Sequence, residues 1–162
     1  MVHFPRVRGR SLAGSELDVP DDLAGETNIL LLAFKQHHQR DIDGWIDALG
    51  TAGVSTSPPH DEKGRALDAG VPLVLYEIPM IGARWQPMRG FIDGGMASSI
   101  RVPSVFARTV TVYGQIGQVE DALGLPDRAQ VYAVVERAGR VLAIERGWPG
   151  DVDAIVTAAM DR

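Results

Sequence analysis

Apolar positions along this chain fall into two kinds of run, unbroken and periodic. Residues 28–34 read Asn-Ile-Leu-Leu-Leu-Ala-Phe, an unbroken run of strand length. Such a run suits a central strand covered on both faces. Residues 71–78 form a second run, with Pro72 near its start and Pro79 just after it, the ends of a strand being where proline is tolerated. Between the two, Ile42, Trp45, Ile46 and Leu49 recur at helical spacing, and Gly50 and Gly53 stop the helix. The segment is therefore a strand–helix–strand unit, whose crossover is expected to be right-handed.

The C-terminal third carries the other strong pattern. Apolar runs at 131–135 and 141–144 are separated by Glu136, Arg137, Ala138 and Gly139, which predicts a β-hairpin with a short charged turn. A helix follows at about 151–160, with Val152, Ile155, Val156 and Ala159 facing inward. In the middle, Pro87 is placed to open a helix whose apolar face is Met88, Phe91, Ile92 and Met96. Gly94 and Gly95 weaken it by about 1 kcal/mol each relative to alanine. Residues 108–113 alternate as a strand, and Ile116, Val119, Ala122 and Leu123 predict a short helix closed by Gly124. Residues 54–66 read as a loop, with a short helical piece near 62–69. The division is 1–27, an N-terminal arm and lead-in, and 28–162, a single α/β domain of order βαβαβαββα.

Composition narrows the function classes. The 162 residues are enough for one domain with a full core. The net charge of −5 argues against nucleic acid as the main partner, since phosphate binding needs a surplus of basic charge. There is no cysteine, which excludes disulfides, thiolate nucleophiles and cysteine-ligated zinc. No apolar run approaches the length of a membrane span, and no signal peptide is evident, so a cytoplasmic location is expected. Arg6, Arg8 and Arg10 give the N-terminus a faint transit-peptide character, but its Gly/Pro-broken pattern favours a surface arm. Only Lys35 and Lys63 are lysines among sixteen basic residues, a bias that fits a GC-rich bacterial genome.

The element order, a βαβ unit ending in a ββα unit, resembles the thioredoxin fold with an extra strand and helix in the middle. Three stretches carry the likeness. Residues 17–25 resemble the lead-in of peroxiredoxin-like and thiol–disulfide oxidoreductase-like proteins, residues 29–34 their first core strand, and residues 131–141 their hairpin. The resemblance implies a three-layer α/β/α sandwich with a mixed central sheet and a C-terminal ββα unit. It also marks two departures. Where the family has a redox cysteine after the first strand, this chain has Lys35-Gln36-His37-His38-Gln39-Arg40; where the family has a cis-proline before the hairpin, it has Arg128, Ala129 and Gln130. Thiolate exchange is impossible without sulfur nucleophiles. The run from Tyr76-Glu77-Ile78-Pro79 through 108–113 to the hairpin, with Trp45, is similar to the cysteine-poor, thioredoxin-like family of the mitochondrial ATP-synthase assembly factor. That likeness implies a non-redox protein that binds another protein during assembly.

The expected function is therefore a redox-inactive, protein-binding module with no catalytic residue, cofactor or metal. Its contact surface is expected near His37, His38, Trp85 and Arg128. Trp85 lies beside Arg84, and exposed aromatics flanked by arginine are enriched at binding hot spots. Two alternatives stay open. His37 and His38, at the C-terminal end of a strand where ligands collect in open α/β sheets, could serve a metal or an enzyme site. Arg84, Arg89, Arg101 and Arg108 could converge on a carboxylate or phosphate.

Overall fold

The computed structural model describes residues 1–82 and 102–161. Seven strands form one mixed sheet: β1 (Val7–Ser11), β2 (Glu16–Val19), β3 (Gly25–Ala33), β4 (Val71–Ile81), β5 (Val110–Tyr113), β6 (Tyr132–Arg137) and β7 (Arg140–Arg146). Their order across the sheet is β2-β1-β5-β4-β3-β6-β7. The central strands β3, β4 and β5 run parallel, while β1 pairs antiparallel with β2 and β5, and β6 with β3 and β7. Four helices are described: α1 (Gln39–Thr51), α2 (Pro103–Arg108), α3 (Ile116–Leu123) and α4 (Val152–Met160).

The unbroken run of β3 does what its pattern requires. Ile29 and Leu31 pack with Trp45, Leu49 and Ile155 on the α1/α4 face. Leu30 and Leu32 pack with Ile116, Val119 and Leu123 of α3 on the other. All four β3 residues have no exposed surface, and full burial of such a side chain is worth about 1.5–3 kcal/mol. The result is the expected three-layer sandwich. The chain reversal of the hairpin is made at Ala138 (φ 52°) and Gly139 (φ 83°). Two successive left-handed residues make the tight turn whose twist matches the paired strands.

Four expectations are corrected. Residues 1–27 are not simply arm and loop, since β1, β2 and the start of β3 lie there, and Phe4 enters the core. The inward positions of β1 are Val7, Gly9 and Ser11, so its alternation carries little hydrophobic signal. The piece near 62–69 is not helical; turns and an isolated bridge between His60 and Ala66 replace it. Arg108 ends α2 and does not begin a strand. Strand β4 runs past Pro79 to Ile81, because the missing N–H falls at the last rung shared with β3, Ala33 opposite Pro79. The helix expected from Pro87 lies outside the described residues.

Candidate functional site

Three loops meet at the end of the sheet where β3 finishes: the turn into α1, the approach to β6, and the exit from β7. Register places them together, since Leu32 pairs with Tyr132 and Tyr132 with Arg146. His38 ties the first loop to the second. Its Nδ1 accepts from the Phe34 N–H at 3.1 Å, and its Nε2 lies 3.2 Å from the Ala129 carbonyl. An acceptor at Nδ1 leaves the proton on Nε2, so both bonds need the neutral ring with Nε2 as donor. Burial holds the His38 pKa below the ordinary 6.5; the Ala129 carbonyl opposes this, while His37 and Lys35 add to it.

This changes the role expected of His38. It is only 3% exposed, so it braces the site and does not present its ring to a partner. Neither ring nitrogen is left as a ligand atom while both bonds stand. His37 remains exposed, its ring centroid 4.8 Å from that of His38. Among the described residues no group of three His, Asp or Glu side chains is placed to hold a metal.

The second and third loops are tied in turn. Tyr132 Oη donates to the Asp127 carbonyl at 3.0 Å, and Arg146 pairs with the Asp127 carboxylate at 2.7 Å. Arg128, a predicted contact residue, is exposed and paired with Glu120 at 2.6 Å. Trp45 is core, as its helical spacing predicts, and its Nε1 donates to the Gly147 carbonyl at 2.7 Å. That bond fixes the backbone just before Trp148, which is 56% exposed. A Cβ at Gly44 would come within 2.7 Å of the Trp148 ring. The bare glycine thus lets the indole rest directly on α1. Arg40, one turn before Gly44, lies with its Cζ 5.6 Å from the ring centroid, within cation–π range.

Beneath α1, Glu77 on β4 is a buried carboxylate with several donors. Its Oε2 accepts from Arg108 Nε at 2.9 Å and from Thr109 Oγ1 at 3.2 Å, and its Oε1 from Gln39 Nε2 at 3.2 Å. A buried charge persists only when paired and hydrogen-bonded. Arg108, one of four arginines expected to converge on an anion, is therefore engaged with Glu77, and its Nη1 donates to the Thr56 carbonyl at 3.4 Å. Trp85, Arg84, Arg89 and Arg101 lie outside the described residues. Trp148 is one of three tryptophans in the sequence; the Gly147 and Pro149 around it signal a turn, and its contacts with Gly44 and Arg40 are too distant in sequence for a local pattern to show.

No family model matches the sequence, and no curated protein matches it significantly. Solved structures do match over nearly the whole chain. A putative electron transfer protein from Aquifex aeolicus VF5 is 10% identical with a TM-score of 0.58, covering 98% of this chain and 94% of its own. The exposed lipoprotein thioredoxin Etrx1 of Streptococcus pneumoniae strain TIGR4 is 9% identical with a TM-score of 0.57, covering 98% and 100%. BsSco, of the Sco family of cytochrome c oxidase assembly proteins, is 10% identical with a TM-score of 0.56, covering 99% and 95%. The fold is thus thioredoxin-like, as the element order implied. The comparisons give no support to a closer relation with the ATP-synthase assembly factor. No described helix is long and apolar enough to cross a membrane.

Proposed function

We propose that this thioredoxin-like chain is a redox-inactive module that recognises another protein, in an assembly-type task, through the end of the sheet where β3, β6 and β7 meet their loops. The observation that carries the reading is Trp148. It is largely exposed, yet it is held in place by the Trp45–Gly147 hydrogen bond below and by Gly44 and Arg40 beside it. An aromatic fixed before binding loses little entropy on docking, and tryptophan and arginine dominate interface energetics. The absence of any sulfur nucleophile removes the chemistry otherwise expected at this end. The competing metal or enzyme reading at His37 and His38 is weakened by the commitment of both His38 nitrogens, and the anion reading by the engagement of Arg108 with Glu77.

The test is site-specific photo-cross-linking in cells of the protein's own source. A photoreactive aromatic amino acid, which keeps a ring in the place of the indole, is put at position 148 and, as control, at Leu67, which is also exposed. One protein captured at 148 and not at 67 supports the reading. The same set of products at both positions, or none at 148, overturns it.

A further inference from the structure

The proposed contact surface continues into a groove of about 650 Å³ between α1 and α4, with Gly44, Ala48, Trp148 and Val152 along it. Its chemistry says more about the partner than Trp148 alone. The charged side chains lining it are Asp47 and Asp153, both exposed and neither in an ion pair among the described residues. The groove also reaches Thr51 and Ala52, where α1 ends. A helix C-terminus carries partial negative charge, and no basic residue lies in the last turn of α1 to offset it. Trp148 rests on Gly44, carries Arg40 over its ring and is still 56% exposed, so its open part adds apolar surface to the groove.

We infer that the groove receives a basic, amphipathic segment of the partner protein; this rests on the protein-binding reading above. Its apolar side chains lie against Ala48, Val152 and the open part of Trp148, and its lysines or arginines meet Asp47, Asp153 and the end of α1. An acidic segment is disfavoured, because it would face two unpaired carboxylates and the negative end of α1, which the cation over the indole, Arg40, offsets only in part. A second copy of this chain, with net charge −5, is a poorer match than a basic partner for the same reason.

The experiment uses the full chain and two synthetic amphipathic peptides, one of leucine and arginine, the other with glutamate in place of arginine. Binding is followed by calorimetry. The arginine peptide should bind, and both Trp148→Ala and the double variant Asp47→Asn/Asp153→Asn should weaken it about tenfold. The control Asp68→Asn/Asp121→Asn, which removes two exposed acids elsewhere, should not. Equal losses in control and test variants would reduce the binding to general electrostatics and overturn the inference, as would preference for the glutamate peptide or sedimentation showing that the groove is covered by a second copy. Sequencing the segment cross-linked at 148 separates the two levels. An acidic or neutral segment there overturns the basic-segment inference and leaves protein binding standing. Groove-dependent peptide binding with no cross-link at 148 sustains the groove chemistry and overturns the proposed function.

Discussion

The two ends of the sheet each hold a buried titratable side chain, and acid acts on them in opposite directions. At the end where β3 finishes, His38 is neutral and both its hydrogen bonds require that state. Burial and hydrogen bonding there favour the same form. At the far end, Glu136 is 2% exposed beside a groove of about 840 Å³. Its Oε1 accepts from Asn28 Nδ2 at 2.5 Å and its Oε2 from the Gly139 N–H at 3.0 Å. Burial raises its pKa above the ordinary 4.5 while these two donors pull it down. Burial and hydrogen bonding therefore oppose each other at Glu136. The lesson is that burial alone does not say how a site behaves; the hydrogen-bond partners decide whether the buried form is also the bonded form.

The sign of each pH effect follows from linkage. The unfolded chain protonates its His38 near 6.5, the native protein only at lower pH. The unfolded state thus binds more protons below about 6.5, and His38 makes stability fall as pH drops through that range. Glu136 is the reverse: the native state holds the proton to higher pH than the unfolded value of 4.5. Its contribution is therefore largest in acid and declines as pH rises above 4.5. The largest expected effect is at the first end. His38→Ala removes the ring and both bonds, and should cost about 3 kcal/mol in urea denaturation at pH 7. The same variant should lose part of the fall in stability between pH 7 and pH 5. A slope unchanged by His38→Ala would mean that another group carries it.

Asn28→Ala is the matching cut at the far end. Asn28 also bonds the Gly25 backbone on both sides, through Oδ1 and Nδ2 at 3.0 Å each. Its loss should cost about 2 kcal/mol at pH 7, since it leaves a buried carboxylate short of a donor. Acidification should recover part of that loss as Glu136 takes a proton. Denaturation at pH 5 and pH 7 reads this directly, and a penalty that grew in acid would contradict the account. Glu136→Gln removes the titration and should abolish the recovery.

How much of this was legible in sequence depends on how far apart the partners lie. The apolar run of β3, the hairpin and the end of α3 at Gly124 (φ 67°) are local patterns, and they were readable. Strand β1 was not, because glycine and serine fill two of its three inward positions. His38 looked like one of two histidines in a polar loop; its burial depends on Ala129, 91 residues later. Asn28 and Glu136 read as a strand start and a turn residue, yet they meet across 108 residues. The short helix α2 was hidden because it has six residues, opens with Pro103 and is too short for periodicity to show.

A smaller effect tests the turn beside Glu136. Ala138 adopts φ 52°, a conformation that costs a side-chain-bearing residue about 1 kcal/mol. Ala138→Gly should relieve it and raise stability by up to about 1 kcal/mol, less what glycine adds to the entropy of the unfolded chain. The Gly139 N–H bond to Glu136 should survive, so the pH dependence of that end should be unchanged. A stabilisation accompanied by a shifted pH profile would show that turn geometry and the Glu136 site are coupled.

The smallest stability change is expected where the functional consequence is sharpest. Gly44 lies inside α1, where alanine gains about 1 kcal/mol over glycine in helix propensity. The added Cβ would lie 2.7 Å from the Trp148 ring, too close to coexist with it. The ring is at the surface and can swing outward, so the clash costs far less than one in the core. The two terms offset, and Gly44→Ala should melt within about 0.5 kcal/mol of the parent. Yet the indole must leave the helix and Arg40 must lose its stacking partner. Fluorine NMR of 5-fluorotryptophan protein, with the Trp148 signal assigned by Trp148→Phe, should show that resonance moving while the Trp45 signal stays. Loss of peptide binding in this stable variant would place recognition in the seating of Trp148 on α1. A Trp148 resonance that did not move would mean that the indole is not seated on Gly44, and the preorganised anchor on which the proposed function rests would fall with it.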